Sequence, residues 1–568
     1  MELITSRHLF FNKVKIRRPS LAPREWSVLT ISAFIMVLMP WAWGGVVLWA
    51  TLLTLGLSAA ALVAALGDFK TQIIAIVLWI VGIGLGFWLV PADTPFGTAP
   101  WLNALAFPVA ALFGQSIAAW LMHQDIRSRS ALDSLGDLIR FPLFWVGLVL
   151  FLYFAIQDWN AWGKVVERDL FWRISQQDFV SWLPNGLKAP LESEERDPGG
   201  MNAWRVILVF AGPWMMMCAL RVGLRRRRGY ITLAWISILT ACAVATYGFT
   251  HQPVNWGEVL GYKIPLCSAP FGVFIYRNHA GVYFYLQAAI AISLAFWHYR
   301  RDRESASKGS PHLIAIFIAV LLSFAVLMTY SVGGLGMILV LVFLITPIAY
   351  FIGMPIRTGQ NWGSATITLA IVVIALASMV ATSKLSDLQK KLSQKIETVT
   401  SKGTDNRAPY REATWEMATA GGASGKVWLG WGAGSFRWVS PHFQAQQKQL
   451  QDKDGKLELR ATYAHCDWLQ ILAEWGVVGM IPLLVGIVYL LMTSAYSLIR
   501  GTPEAIPLAG VALLFGVHMY MDFICWFTPL LFSLAFVISA MIAFLDEGLR
   551  GRKKAKLTIK EIGKVNTV

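Results

Sequence analysis

The chain has 568 residues, of which 56% are hydrophobic and 14% are charged, and its formal net charge is +16. Soluble globular proteins carry about 25% charged residues, and a water-soluble fold of this size has no place to bury so much apolar surface. Five cysteines are too few for a disulfide framework in such a chain. The composition therefore excludes a soluble enzyme, a disulfide-stapled secreted domain and a disordered chain, and it predicts a membrane protein.

Long apolar segments recur along the chain and predict transmembrane helices. About 20 apolar residues in a helix cross the roughly 30 Å of hydrocarbon in a bilayer. The segment at 101–122 is the weakest, because Asn103 and Gln115 are also consistent with a re-entrant or interfacial piece. The predicted fold is an all-α polytopic membrane protein with about fourteen spans, at residues 27–43, 46–66, 72–91, 101–122, 142–158, 203–222, 230–250, 280–298, 313–330, 335–354, 365–382, 473–496, 506–524 and 528–545.

The basic residues indicate the orientation of these spans. An even number of spans places both termini on one side, and cytoplasmic loops are enriched in lysine and arginine. With both termini in the cytoplasm, the run Arg225 to Arg228 and the basic C-terminal tail also lie inside. The positive charge is therefore attributed to membrane topology, and no nucleic-acid partner is expected.

The predicted organisation has four parts. The large outside loop precedes the last three spans, and Leu385, Leu388, Leu392 and Ile396 in it follow a helical spacing. This spacing predicts an amphipathic helix lying on the bilayer surface or on the helix bundle. The parts are a basic cytoplasmic segment at 1–26, transmembrane helices at 27–264 with an outside loop at 159–202, a transmembrane core at 265–545 with the large loop at 383–472, and a basic cytoplasmic tail at 546–568.

Three segments on the predicted outer face contain the candidate functional residues, and the first precedes the eighth span. There Arg277, Asn278 and His279 are consecutive. A guanidinium offers five donors in a planar fork that suits a phosphate group. Interfacial anchoring is an alternative explanation, because arginine and aromatic residues such as Tyr276 are common at the ends of spans.

The second segment lies in the large loop. Arg407 and Arg411 are one helical turn apart, so their side chains are able to share a face. The sequence GWGAGSF follows, and its glycines Gly430, Gly432 and Gly434 permit a backbone path close to a ligand or to another helix.

The third segment is the point at which the large loop re-enters the membrane. His465 precedes a helix that contains Glu474. The unperturbed proton affinity of histidine suits a general base near neutral pH, although a single histidine at a helix start is often structural. Glu474 is placed to orient a partner or to cap a neighbouring segment. No metal site is predicted, and Cys267 and Cys466 leave open a disulfide on the outer face.

Taken in order, these motifs resemble those of the O-antigen ligase and O-antigen polymerase superfamily of bacterial inner-membrane glycosyltransferases. The resemblance covers roughly residues 265–500. Its elements are Arg277-Asn278-His279, Ser331-Val332-Gly333-Gly334, Arg411 to Trp415, Gly430 to Phe436, and His465 followed by Leu469, Glu474, Gly476 and Gly479.

The resemblance implies a GT-C-like helical fold and an inverting, metal-independent transfer that needs no cofactor. The donor would be a glycan on an undecaprenyl diphosphate carrier, and the acceptor a hydroxyl of a glycan, of lipid A–core or of a protein, at the periplasmic face. Arg277 and Arg411, with Arg407 as an alternative to Arg411, would bind the diphosphate, and His465 would be the general base. Asn278, His279, Gly432, Gly434 and Glu474 would have supporting roles. Ligase activity is preferred over polymerase activity.

Two other functions remain open at this point. A transporter or flippase for a lipid-linked saccharide predicts charged residues midway along the spans, and the interiors of the predicted spans hold almost none. Asp522, near the outer end of its span, is the nearest exception. A membrane scaffold would require none of the three segments.

Overall fold

The computed structural model describes residues 21–565, apart from 43–44, 46, 97, 124–129, 169–170, 192–200, 252–257, 260–261, 264–269, 306–309, 354–406, 421–425 and 458–459. The described chain is mostly helical. Its helices are α1 Pro23–Trp41, α2 Leu48–Leu66, α3 Phe69–Leu89, α4 Ala99–Met122, α5 Ala131–Ile139, α6 Pro142–Trp159, α7 Ala203–Gly223, α8 Arg227–Thr250, α9 Arg277–Ser305, α10 Pro311–Met328, α11 Val332–Val340, α12 Thr346–Gly353, α13 Ala408–Thr419, α14 Lys426–Leu429, α15 Phe436–Gln444, α16 Asp467–Arg500, α17 Ile506–His518 and α18 Thr528–Val565.

Eleven helical segments in the described chain are long and apolar enough to cross a membrane, which confirms a polytopic membrane protein. The segment at 101–122 lies in α4, a continuous helix of 24 residues. Two other predicted spans correspond to α1 and to the shorter α17, and the one at 365–382 lies outside the described residues, as does the predicted amphipathic helix at 385–396.

The predicted span at 506–524 ends earlier than expected. The helix α17 has 13 residues, about 20 Å in length, and residues 519–527 form a connection to α18. The backbone N–H groups of Ile524 and Cys525 donate to the carboxylate of Asp467, at 2.7 and 2.9 Å, instead of to helical carbonyls. The connection therefore stays non-helical and carries Asp522 into the protein.

The helix α9 is the centre of the bundle, and nearly all of its apolar surface is buried. Gln287 on this helix accepts from Ser237 of α8 at 2.6 Å and donates to Ser533 of α18 at 3.1 Å. Side-chain hydrogen bonds of this kind join helices where no water is available. By contrast, α3 exposes Leu78, Val81 and other apolar side chains, as expected of a surface that faces lipid.

The loop at 159–202 contains a small sheet, which the sequence analysis did not predict. Its strands are β1 Gly163–Arg168, β2 Phe171–Gln176 and β3 Leu187–Lys188, in the order β2-β1-β3. The pair β1–β2 is antiparallel, with Gly163 opposite Gln176, and β1–β3 is parallel. A short hairpin, β4 Glu258–Val259 and β5 Tyr262–Lys263, lies further along the chain.

The sheet packs on the large loop. Trp162 donates from its indole nitrogen to the carbonyl of Trp431 at 3.1 Å, and Trp172 donates to the carbonyl of Trp438 at 3.4 Å. Both indole pairs also meet edge to face, a favourable arrangement of aromatic rings. These contacts hold the loop segment that contains the GWGAGSF sequence against the rest of the protein.

Candidate active site

The carboxylate of Asp522 is the centre of a buried polar cluster formed by three distant segments of the chain. The Asp522 side chain is 1% exposed. Its Oδ1 lies 3.2 Å from Nδ1 of His465, and its Oδ2 lies 3.3 Å from Nη2 of Arg407 and 3.4 Å from the hydroxyl of Tyr276. Asn278 also donates from its side-chain amide to Oδ2. Three segments predicted from the sequence therefore meet at one carboxylate. They are the segment of Arg407, the segment of His465 and the RNH segment, which is Arg277 to His279.

The RNH segment is held by aromatic packing at the start of α9. The ring of Tyr276 stacks on Phe523 with centroids 5.2 Å apart, and the Tyr276 hydroxyl accepts from Asn278 at 2.8 Å. Nε2 of His279 lies 2.9 Å from the carbonyl oxygen of Phe523, to which it donates. His279 and Asn278 thus fix the 522–523 backbone and the Asp522 carboxylate in place.

His465 occupies an unusual backbone conformation just before α16. Its φ is 51°, in the left-handed region that few residues other than glycine adopt. The imidazole lies between the rings of Tyr410 and Phe523, with centroids 6.1 and 4.8 Å away, and its side chain is 23% exposed. The ring is therefore held on two sides and remains accessible to a ligand.

A second buried carboxylate, that of Asp467, holds the two halves of the His465–Asp522 pair together. It is the first residue of α16. In addition to the backbone groups of Ile524 and Cys525, it accepts from the indole nitrogen of Trp526 at 2.8 Å. Because Asp467 follows His465 by two residues, the segment that carries Asp522 is tied directly to the segment that carries His465.

The charge of Asp522 determines which nitrogen of the His465 imidazole carries the proton. Burial by itself raises the pKa of a carboxyl group, but the hydrogen bond with His465 and the positive charge of Arg407 outweigh it and hold the pKa of Asp522 well below its usual range. An ionised carboxylate at Nδ1 requires a proton on that nitrogen. In a neutral imidazole Nε2 is then the acceptor, as a general base requires.

The three predicted arginines lie at this end of the bundle. Arg407 donates to Asp522, to the Tyr276 hydroxyl at 3.3 Å and to the Met521 carbonyl. Arg411, one turn later on α13, acts electrostatically on the thiol of Cys466, whose pKa is raised overall by burial.

Arg277 is half-buried beside Tyr276, and among the described residues no hydrogen bond or ion pair engages its guanidinium. The positive charges of the RNH segment and of α13 approach the same polar cluster from different elements.

The GWGAGSF segment docks on a break in α16. Glu474 accepts from the backbone nitrogens of Gly434 at 2.8 Å and Phe436 at 3.1 Å, and its own carbonyl accepts from Gly432 at 2.9 Å. Gly476, with a φ of 66°, interrupts the helix at this point. Gly432, Gly434 and Glu474 therefore make a loop-to-helix joint, and the glycines approach protein backbone.

The glycines of this joint have no room for a side chain. A Cβ on Gly432, where φ is 109°, would lie 2.4 Å from the Cα of Gly186, and one on Gly434 would lie 2.7 Å from the backbone nitrogen of Asn202. Tyr153 adds a hydrogen bond from its hydroxyl to the carbonyl of Trp475 at 2.7 Å. The loop at 159–202 and the helix α6 thus support the joint from the other side.

The Ser-Val-Gly-Gly segment at 331–334 packs beside α9. Ser331 caps α11 by accepting from the backbone nitrogen of Gly334 at 3.2 Å, and its side chain lies next to Gly281 of α9. Cys466 is a free thiol, and Cys267 lies outside the described residues. Within the described ranges, no group of three or more His, Cys, Asp or Glu side chains is arranged to hold a metal ion.

Two carboxylates of this site were not predicted from the sequence. Asp522 was noted only as an exception to the apolar interiors of the spans, and Asp467 was not predicted as a site residue. The available signal was that Asp522 is an acidic residue at the outer end of a predicted span, where an ionisable group needs a partner. Its partners, Arg407 and His465, are 115 and 57 residues away in the chain.

Comparison with known proteins agrees with the motifs. Residues 317–484 match a family model described as O-antigen ligase, which covers less than a third of the chain. The matched segment includes Arg411, the GWGAGSF sequence and His465, and it lies within the predicted core at 265–545. No curated protein and no solved structure matches the chain.

Proposed function

We propose that this chain moves a glycan from an undecaprenyl diphosphate carrier to an acceptor hydroxyl, since residues 317–484 match a family model described as O-antigen ligase. The reaction inverts the anomeric centre, needs no metal, and takes place at the periplasmic face of the bacterial inner membrane. The observation that carries the proposal is the convergence of His465, Arg407 and the RNH segment on Asp522. In this proposal both termini of the chain lie in the cytoplasm.

In this proposal His465 is the general base. The acceptor hydroxyl transfers its proton to Nε2 as its oxygen bonds to the anomeric carbon. Asp522 keeps the proton on Nδ1 and stabilises the imidazolium that forms, the role that an aspartate has in Asp–His pairs of hydrolases. Asp522 is a positioning residue, since it acts through His465. General acid–base catalysis by a positioned side chain increases the rate by a factor of about 10²–10⁴.

The arginines stabilise the leaving group. As the acceptor oxygen bonds, the bond between the anomeric carbon and the diphosphate oxygen breaks, and the electron pair departs with the lipid diphosphate. Fixed cations at the point where negative charge grows lower the barrier. Arg277 and Arg411 bind the diphosphate in this scheme, and Arg407 shares its charge between Asp522 and the phosphates. The acceptor attacks from the opposite side, which inverts the configuration.

The proposal is tested with the purified full-length protein in lipid nanodiscs. The donor is an undecaprenyl diphosphate-linked oligosaccharide, the acceptors are glycans, lipid A–core and peptide hydroxyls, and each reaction is run with and without a chelator. We expect acceptor-dependent release of undecaprenyl diphosphate, a product with inverted anomeric configuration by NMR, and no effect of the chelator. Retained configuration, or loss of transfer with chelator, would refute that part of the mechanism.

Matched variants assign the roles. His465→Asn is preferred over alanine because asparagine tolerates the left-handed backbone, and we expect transfer to fall by about 10²–10⁴. His442→Ala, on the exposed face of α15, is the control and should transfer normally. Arg411→Lys should impair transfer because an ammonium cannot form the planar fork, whereas Arg173→Lys on the exposed face of β2 should not. Normal transfer by both site variants would exclude this mechanism.

The same preparation separates transfer from transport. A flippase would move the labelled donor across the bilayer of a sealed vesicle without consuming it. Movement of intact donor with no product in any acceptor arm would favour that function, and product formation without such movement would exclude it.

A further inference from the structure

The end of the bundle opposite His465 contains a cavity of about 200 Å³ between α5, α7, α8, α16 and α18. The helix α7 has 21 residues and begins beside Asn202, next to the Gly434 joint. At 1.5 Å per residue its other end is about 30 Å away. This cavity is therefore separated from the candidate active site by the thickness of the membrane.

Arginines dominate the polar wall of the cavity. Arg140, Arg221, Arg225 and Arg227 line it together with only two acidic residues, Asp137 and Asp546. The ion pairs Arg221–Asp546 and Arg225–Asp137 are each about one third exposed. Pairs with that much water contact are weak, so these guanidiniums are able to exchange their partners for an incoming anion.

The connection between α7 and α8, which carries Arg225, is fixed in place. Glu25 of α1 accepts from the backbone nitrogens of Arg225 and Arg226 at 3.1 and 2.9 Å and pairs with the Arg226 guanidinium at 3.2 Å. Arg227 is held by the buried carboxylate of Glu504 at 2.7 Å. The positive wall is therefore built into the fold and does not depend on a flexible loop.

The rim of the cavity has the character of a membrane interface. The helix α5 exposes Leu132, Leu135 and Ile139 while it buries Ser134 and Leu138. An amphipathic helix with an uncovered apolar face lies in the headgroup region of a bilayer. Trp145 also lies there, with its indole nitrogen donating to the Ile139 carbonyl at 2.8 Å, as tryptophans do at membrane interfaces.

The apolar part of the wall continues toward the lipid. Phe141, Pro142, Leu224 and Ala543 line the cavity, and so does Tyr489 of α16, which is eleven residues, about 16 Å, from the end of that helix. Neighbouring residues of α16, Val485 and Val488, are exposed on the lipid side. A ligand with a phosphate head and an acyl chain matches both parts of this wall.

We propose that this cavity binds the phosphate headgroup of an anionic phospholipid from the leaflet opposite the active site. A cavity of about 150 Å³ is already large enough to hold a benzene-sized molecule, and basic pockets between transmembrane helices bind acidic lipid headgroups. The arginines contact the phosphate, and the acyl chains lie along α5 and α16. This inference does not depend on the glycan-transfer reaction.

The test measures lipid retention by native mass spectrometry and the thermal unfolding midpoint of the purified full-length protein. The probes are dihexanoyl phosphatidylglycerol, dihexanoyl phosphatidylcholine and glycerol 3-phosphate at equal concentration. We expect several-fold more phosphatidylglycerol than phosphatidylcholine to be retained, and a rise of the midpoint with phosphatidylglycerol only. Equal effects of the two lipids would overturn the proposal. An equal effect of glycerol 3-phosphate would identify a soluble anion as the ligand and overturn the lipid assignment.

Two variants test the wall itself. Arg140→Gln removes an exposed charge at the rim, which the fold tolerates, and Arg225→Gln removes a charge from the fixed connection. Each should reduce the retained phosphatidylglycerol severalfold. Arg500→Gln is the matched control: it lies at the same end of the bundle, over the ring of Tyr496 at 5.0 Å, and it does not line the cavity. Full retention of phosphatidylglycerol by Arg140→Gln and by the folded fraction of Arg225→Gln would overturn the proposal.

Discussion

Replacing Asp522 by asparagine is the sharpest perturbation of the candidate active site. The two side chains have nearly the same shape, so the change removes one buried negative charge and leaves the packing intact. If the new amide group faces Nδ1 of His465, it donates where the carboxylate accepted, and the imidazole takes the tautomer with its proton on Nε2. That tautomer cannot accept a proton from the acceptor hydroxyl.

The expected loss follows from this change of tautomer. The corresponding substitution in a serine protease lowers kcat by about 10⁴, which is near 5 kcal/mol of transition-state stabilisation. His465 here is 23% exposed, so water competes for the imidazole, and we expect a fall in kcat of about 10²–10⁴. KM for the donor should change less, because the Asp522 carboxylate repels the diphosphate and does not bind it.

Kinetics of glycan transfer and thermal unfolding, measured on the same preparations, check this prediction. Asp522→Asn should lower the free energy of unfolding by about 1–3 kcal/mol, since Arg407 and Asn278 lose their charged acceptor. Asp158→Asn is the control: that carboxylate is also at the outer end of the bundle and accepts from the indole of Trp204 at 3.0 Å, but it does not contact His465. Wild-type kcat in Asp522→Asn would refute the orienting role.

The remaining predictions concern pH and the loop-to-helix joint. Because the pKa of Asp522 is lowered in the fold, its contribution to stability is complete above the unfolded value of 3.8 and is lost as the pH falls from there toward the folded value. Between about pH 5 and pH 8 the free energy of unfolding should therefore not change with pH on account of Asp522. Glu474→Gln, which replaces one of the two oxygens that accept from the backbone nitrogens of Gly434 and Phe436 by an NH₂ group, should lower the thermal midpoint by the equivalent of about 1–3 kcal/mol and make the GWGAGSF segment sensitive to limited proteolysis. Gly432→Ala should cost more than about 3 kcal/mol from backbone overlap, whereas Gly455→Ala, at a φ of 75° with nothing within 4 Å, should cost about 1 kcal/mol; equal midpoints for the two alanine variants would contradict the close approach at Gly432.

Hydropathy was sufficient to predict the membrane fold, because a transmembrane helix is specified by a local run of apolar residues. Eleven of the predicted spans coincide with long apolar helices of the described chain. The strands at 163–176 were missed because Trp172 and Ile174 pack on the large loop, a tertiary contact that has no local signature. The end of α17 was misplaced for the same kind of reason, since Asp467 satisfies the backbone of the following connection.

The candidate site was predictable in its residue types but not in its connections. The chemistry of guanidinium and imidazole groups pointed to Arg407, Arg411 and His465 from the sequence alone. Which of them pair could not be predicted, because the pairing depends on a carboxylate at 522 that is brought to them by a short helix and a non-helical connection. The glycines of the GWGAGSF sequence were consistent with contact either to a ligand or to another helix, and their positions favour the latter.

The hydrogen bonds of Asp467 make the proton-accepting half of the site a single mechanical unit. His465 and Asp522 are held at a fixed distance from each other, since Asp467 at the start of α16 binds the backbone of residues 524 and 525 and the indole of Trp526. Arg407 lies directly before α13 and Arg411 lies on it, and Arg407 reaches this unit through its side-chain contacts with Asp522 and Tyr276. In the proposed mechanism the cations and the base are therefore held by different segments, so that a change in Arg407 or Arg411 leaves the hydrogen bonds of Asp467 intact.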